Sequence, residues 1–299
     1  MISKEIRDLI VYHLKHTREF AEHDHRNVFV KTMRLLRSKG FDQIRGKRVL
    51  DLGCGQRFAF ALQCACEGAE VTALDVNYVA PNLLPVAFVK TIKHNGLKRA
   101  LKSIFRKLAF DKLYYRRLEE VYGSPLHRYQ SKIKFVIADP EDAHYPVPSG
   151  SFDLIVSNAV LEHVADVPTF VNEIKRLLAG GGYFCGRIHN FYSLSGGHNM
   201  EWAYPNDKPS KRVPPWDHLR KNRFPAWVYL NRLKPEDYQE AFSRELNIIL
   251  FEATNINHDL GVAGTEGEAF YTPELAHELS QYPHELLLTR SWCILCNKT

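Results

Sequence analysis

Two aspartates and the two glycines between them, Asp51, Gly53, Gly55 and Asp75, are the residues of this chain whose type and spacing most plainly serve chemistry. Val49-Leu50-Asp51-Leu52-Gly53-Cys54-Gly55 is an apolar run that ends in Asp-Leu-Gly-Cys-Gly, which reads as a buried parallel strand stopping in a tight turn. The glycines admit backbone angles closed to other residues and let a ligand approach the main chain. A helix is expected from Ala59 through Cys66, with the free N–H groups of its first turn facing that ligand. A second apolar strand, Val71-Thr72-Ala73-Leu74, ends in Asp75, a carboxylate suited to two vicinal ribose hydroxyls. Strand, glycine turn, helix, strand and acid together make a nucleoside-cofactor half-site.

The dinucleotide fingerprint G-x-G-x-x-G would place glycine at position 58, where this chain has Phe58. That argues against an NAD(P) oxidoreductase. The segment instead resembles motif I of the class I S-adenosylmethionine (SAM)-dependent methyltransferases, with Asp75 as their acid at the end of the second strand. Four further stretches carry the resemblance. Ile137-Ala138-Asp139-Pro140 and Ser151-Phe152-Asp153-Leu154-Ile155-Val156 look like the adenine-binding segment and fourth strand. Ser157-Asn158-Ala159-Val160-Leu161-Glu162-His163-Val164 looks like the turn and helix that follow, and Leu177-Leu178-Ala179-Gly180-Gly181-Gly182 like the glycine turn before the fifth strand.

The resemblance implies SAM as cofactor and assigns residues to it. The backbone at Gly53, Cys54 and Gly55 would pass under the methionine and ribose, and Asp51 would orient that turn. Asp75 would take the ribose hydroxyls with Val76 against the adenine. Asp139 would accept from the adenine amino group, with Pro140 flanking the base, and Asn158 would lie near the methionine. Asp153 is expected to be structural. Arg57 stands where the family often has a third glycine, and is expected either to face the methionine carboxylate or, more simply, to lie exposed at the helix start.

These residues need a scaffold. Helical spacing fills 3–40, and strands are predicted near 48–52, 70–74, 133–138, 152–157, 182–189, 246–252 and 286–297, with a helix near 235–245. The alternation indicates an α/β protein with helices on both faces of a mostly parallel sheet. It resembles the Rossmann-like, seven-stranded methyltransferase sheet whose last strand is inserted antiparallel. The expected layout is one domain over 1–299: a helical extension (1–46), a SAM-binding core (47–188) holding a basic helical insertion (77–132), a substrate lid (189–233), and the rest of the sheet (234–299). The basic insertion has ten Lys or Arg against one acid over 90–117, and an apolar stripe of Leu97, Leu101, Ile104, Phe105 and Leu108 expected to pack on its own domain.

Methyl transfer from a sulfonium to a hydroxyl requires alignment and removal of a proton. Histidine titrates in the right range for that role, and His163, His189 and His198 stand at or beyond the expected carboxyl ends of the fourth and fifth strands, where ligands of open α/β sheets dock. Trp202, Trp216 and His218 crowd the same insertion. His23, His25, His189, His198 and His218 lack zinc-site spacing, so no metal is expected. The Asn/Asp-Pro-Pro-aromatic signature of base N-methylation is absent after the fourth strand. That argues against base N-methylation, and the resemblance implies a small-molecule acceptor, first an oxygen atom, with a protein or nucleic-acid substrate as the rival. The overall pattern looks most like the branch that includes ubiquinone/menaquinone-type and natural-product enzymes. A non-catalytic SAM-binding sensor or partner subunit is the alternative.

Composition fits these readings. In 299 residues, 45% are hydrophobic and 25% charged, with a net charge of +6, as in ordinary globular proteins. No apolar run is long enough for an integral membrane span, and the first residues lack a signal-peptide core. Six cysteines in so long a chain make no disulfide framework, and a cytoplasmic location is expected. Oligomeric state is not legible.

Overall fold

A computed structural model describes residues 11–79, 85–140, 142–203, 205, 209–254 and 266–299. Seven strands form one sheet: β1 (Arg48–Leu52), β2 (Glu70–Asp75), β3 (Lys134–Ile137), β4 (Phe152–Asn158), β5 (Leu178–His189), β6 (Asn247–Thr254) and β7 (Ser291–Asn297), in the order β3-β2-β1-β4-β5-β7-β6. β1, β2 and β3 pair in parallel, whereas the last strand enters between β5 and β6 and runs antiparallel to β6. This is the Rossmann-like methyltransferase sheet. The chain divides into two compact units, one of residues 1–156 and 176–183, the other of residues 157–175 and 184–299.

In the first unit, Val49, Leu50, Asp51 and Leu52 of β1 are all buried, so the strand shows no polar alternation. Its parallel register sets Asp51 beside Ala73 and Leu52 beside Leu74, bringing the glycine turn alongside the end of β2. Asp153 does take a structural role. Arg48 donates its backbone N–H and a guanidinium N–H to that carboxylate at 2.8 and 2.7 Å, fastening the start of β1 to β4. These hydrogen bonds from Arg48 hold the Asp153 carboxyl below its usual range.

The N-terminal helices α1 (Thr17–Glu22) and α2 (Lys31–Ser38) are joined by a π-helical stretch, His23–Val30. Helix α3 (Ala59–Cys66) buries six of its eight residues. Its N-cap, Phe58, has φ 35°, an unusual left-handed angle for an aromatic residue. Its ring is fully buried, with Phe135 5.1 Å away between centroids. The basic insertion forms α4 (Pro85–Asn95), α5 (Leu97–Arg106) and α6 (Lys112–Tyr122). Its stripe does not pack as expected: Leu97, Leu101, Phe105 and Leu108 are all more than half exposed.

The second unit holds most of α7 (Val167–Leu177), α8 (Pro235–Ser243), α9 (Pro273–Glu278), α10 (His284–Leu288) and the β6–β7 pair. The strand expected from 286 begins only at Ser291. Leu286, Leu287 and Leu288 sit instead in α10, all buried, as a short apolar run can do in either state. A core of Leu194, Trp202, Val213, Trp216, Leu275, Leu279, Leu287 and Leu288 fills this unit. Trp202 and Trp216 of the 189–233 insertion are therefore packing residues, each donating its indole N–H, Trp202 to the Val213 carbonyl and Trp216 to that of Tyr192, whereas Trp227 of the same insertion is exposed. All six cysteines are free thiols. No helix among the described residues is long and apolar enough to cross a membrane.

Candidate functional site

The cofactor residues predicted from sequence fall, apart from Asn158, in the first unit. Gly53 and Cys54 donate their N–H groups to the Leu74 carbonyl at 2.8 and 3.1 Å, closing the turn after β1 against the end of β2. Gly53 (φ 75°) and Gly55 (φ 62°) both lie in the left-handed region, and a Cβ at Gly55 would meet nothing within 4 Å. The second glycine thus supplies a backbone angle and leaves open space above the turn.

Asp75 closes the arrangement. Its Oδ2 accepts from Gly55 N–H at 3.1 Å and its Oδ1 from Asn77 N–H at 2.9 Å. A carboxylate oxygen accepts more than one hydrogen bond, so capacity remains for ribose hydroxyls. Val76 follows with half its surface exposed, an apolar face at the strand end.

Asp51 is buried, and its Oδ2 accepts from Ala61 N–H at 3.2 Å in the first turn of α3. It therefore ties the strand before the glycine turn to the helix after it. Burial pushes its carboxyl up to about 7, eased by the Ala61 N–H and reinforced by the negative charge of Asp75. Burial also pushes the Cys54 thiol up, which keeps it protonated.

Asp139 lies just beyond β3, exposed, its N–H donating to Asp142 Oδ2 at 2.9 Å. Pro140 is half-buried beside it, and its carbonyl accepts from the Tyr145 hydroxyl at 3.3 Å.

Arg57 departs from the expectation of a solvent-facing side chain. It lies 3.5 Å from the buried Asp111 carboxylate and its guanidinium covers the Tyr114 ring at 4.2 Å from the centroid. Arg106 pairs with the same carboxylate at 3.1 Å. Asp111 is the lone acid of the basic segment, and that isolation is the signal sequence reasoning passed over.

In the second unit, Asn158 ends β4, half-buried. Ala159 follows with φ 55° and donates its N–H to the Arg187 carbonyl at 2.9 Å. His163 closes a short 3-10 turn, Leu161–His163, rather than lying a turn into a continuous helix. Asn231 holds that turn: its side-chain amide donates to the carbonyls of Leu161 at 2.7 Å and Val164 at 2.9 Å. His163 Nδ1 lies 2.9 Å from the Tyr229 carbonyl. A carbonyl can only accept, so Nδ1 carries a hydrogen, which in the neutral ring leaves the lone pair on Nε2.

The three candidate histidines converge. The His163 and His198 rings meet edge to face at 4.9 Å, and those of His189 and His198 stack at 4.7 Å between centroids. His189 Nε2 is 2.8 Å from Ser195 Oγ. Burial, then His163, Arg290 and His218, lower His198 to about 4, so it is neutral at pH 7.

Among them lies Glu162, which sequence reasoning did not select. It is 2% exposed and neither of its carboxylate oxygens has a well-formed hydrogen bond. Burial pushes it up to about 8, eased by its own and the His189 N–H groups. Donor atoms of Glu162, His189 and His198 lie within 4.8 Å of one another. The only sequence signal was an acid inside the apolar run Ala159-Val160-Leu161-Glu162-His163-Val164.

The sheet order, the glycine turn and the acid closing β2 define a nucleoside-cofactor enzyme of the methyltransferase class. Residues 20–226 match the family described as methyltransferase domain, and the chain belongs to that family. It is a SAM-dependent methyltransferase, and S-adenosylmethionine is its cofactor. It is similar to solved structures at low identity. A SAM-dependent methyltransferase from Mesorhizobium loti is 20% identical, with 86% of this chain and 93% of that chain covered and a TM-score of 0.44. A protein from Pyrococcus horikoshii is 14% identical, with 92% and 91% covered and a TM-score of 0.46. Geranyl diphosphate C-methyltransferase from Streptomyces coelicolor is 12% identical, with 99% and 84% covered and a TM-score of 0.47. No curated protein matches the sequence.

Proposed function

We propose that the chain transfers the methyl group of SAM to an oxygen atom of a small-molecule acceptor. The supporting observation is the convergence of His163, His189 and His198 around the buried Glu162, with His189 ending β5 and the others in the segments that follow β4 and β5. In-line transfer forms an oxygen–carbon bond as the sulfur–carbon bond breaks. The electron pair returns to sulfur, giving S-adenosylhomocysteine, and the acceptor hydroxyl gives up its proton. His163 is the base in this reading, because its Nδ1–H is committed to Tyr229 and Nε2 is left to take that proton. Neutral His198, with His189, holds the acceptor oxygen.

On the cofactor side, Gly53, Cys54 and Gly55 line the methionine and ribose, Asp75 binds the ribose hydroxyls, and Val76, Asp139 and Pro140 take the adenine. Asp51 orients the turn, and Asn158 contacts the methionine.

The test uses SAM carrying a deuterated methyl group, a pool of hydroxyl-bearing small molecules and mass spectrometry of the products. A labelled methyl ether is the expected product, and His163→Ala should slow its formation roughly 100-fold or more while keeping S-adenosylhomocysteine affinity. Label found only in protein or nucleic acid, or an unchanged rate in His163→Ala, would contradict the reading.

A further inference from the structure

We infer that Glu162, His189 and His198 bind one divalent first-row transition-metal or zinc ion. The metal's role rests on the acceptor reading above; its binding does not.

Three observations carry the site. One donor atom from each residue lies within 4.8 Å of the other two. Around a metal with bonds of about 2.0–2.2 Å such donors stand roughly 3–3.5 Å apart, so a small rotation of each side chain closes the cage. Glu162 is buried with both oxygens lacking a well-formed hydrogen bond. A buried carboxylate left this way needs a cation or a proton. His198 is held at φ 50°, a backbone angle uncommon outside glycine and typical of constrained functional positions.

The surroundings support a ligand role for His189. Ser195 Oγ meets its Nε2 at 2.8 Å, and the Ser195 N–H donates to Glu266 at 2.6 Å. Glu266 accepts from Arg290 at 2.7 Å in a buried ion pair. Such outer contacts orient metal-binding imidazoles.

Two imidazoles and one carboxylate suit Zn2+, Mn2+, Fe2+ or Co2+ better than Mg2+ or Ca2+, which prefer all-oxygen sets. Three protein ligands leave positions open, where an acceptor hydroxyl would bind and become more acidic, with His163 adjacent to receive its proton. The sequence spacing hid this set because Glu162 and His189 come from different strand ends and His198 from a loop beyond.

The experiment titrates Co2+ into full-length protein stripped with EDTA, without SAM or acceptor, followed by visible absorption and calorimetry. One equivalent should bind without a thiolate charge-transfer band, be displaced by Zn2+, and resist Mg2+. Glu162→Gln and His198→Asn should each weaken binding at least 100-fold, and Ser195→Ala about tenfold. Circular dichroism and S-adenosylhomocysteine affinity report whether each variant is folded; if Glu162→Gln is not, His198→Asn decides. Absence of stoichiometric Co2+ binding, a thiolate spectrum, or wild-type affinity in a folded variant would overturn the site. Failure here leaves SAM-dependent transfer standing, and bound Co2+ without an oxygen acceptor contradicts only the acceptor reading.

Discussion

Asp75 Oδ2 accepts the backbone N–H of Gly55 at 3.1 Å, joining the turn after β1 to the end of β2 across twenty residues. The acid proposed to grip the ribose also fixes the turn proposed to pass beneath it. Gly55→Ala tests the turn itself. The new methyl would meet nothing within 4 Å, so its cost comes from the positive φ alone, about 1–2 kcal/mol. Urea unfolding should show that loss, and calorimetry should show weaker S-adenosylhomocysteine binding. A variant as stable as the parent would mean the turn does not hold this angle.

Asp51 makes stability depend on pH. Its folded pKa of about 7 stands above an unfolded value of about 3.9. A raised folded pKa means the protonated side chain favours folding at low pH, and that contribution is lost as pH rises through about 7. Relative to Asp51→Asn, the parent should lose up to about 4 kcal/mol between pH 4 and pH 8. Denaturant unfolding of both proteins across that range measures it, and a constant difference would refute the burial effect.

Asp111 is nearly fully buried, with Arg57 and Arg106 around it. Asp111→Asn should destabilise the protein by about 1–3 kcal/mol, less than a fully buried pair would because both guanidinium groups keep some water. A melting temperature equal to the parent's would show that the network contributes nothing.

Trp216 is fully buried in the core of the second unit. Trp216→Ala should cost about 3–5 kcal/mol, read as a lower melting temperature. A near-neutral effect would mean that the indole does not pack as a core residue.

The sheet was legible because its strands are short apolar runs closed by glycine, acid or turn residues, as at Leu52-Gly53 and Leu74-Asp75. The last strand was placed too early because Leu286-Leu287-Leu288 satisfies a buried helix as well as a strand. Cofactor candidates were legible because motif I and Asp75 come from consecutive strand ends. Glu162 was not, since nothing local pairs it with His189 or His198. Trp202 and Trp216 could be read either way, as acceptor-facing or as core, because the partners that bury them, Leu275, Leu279, Leu287 and Leu288, lie far along the chain.

The central proposal gives Asp75 to cofactor binding and His163 to removal of the acceptor proton. Calorimetric titration of S-adenosylhomocysteine into Asp75→Ala and His163→Ala tests it most directly. Asp75→Ala should bind about 10- to 150-fold more weakly than the parent, equivalent to about 1.5–3 kcal/mol for lost hydrogen bonds to a charged group. His163→Ala should bind within about twofold of the parent, well under 1 kcal/mol. Parent-like affinity in Asp75→Ala, or a matching loss in His163→Ala, would contradict the account.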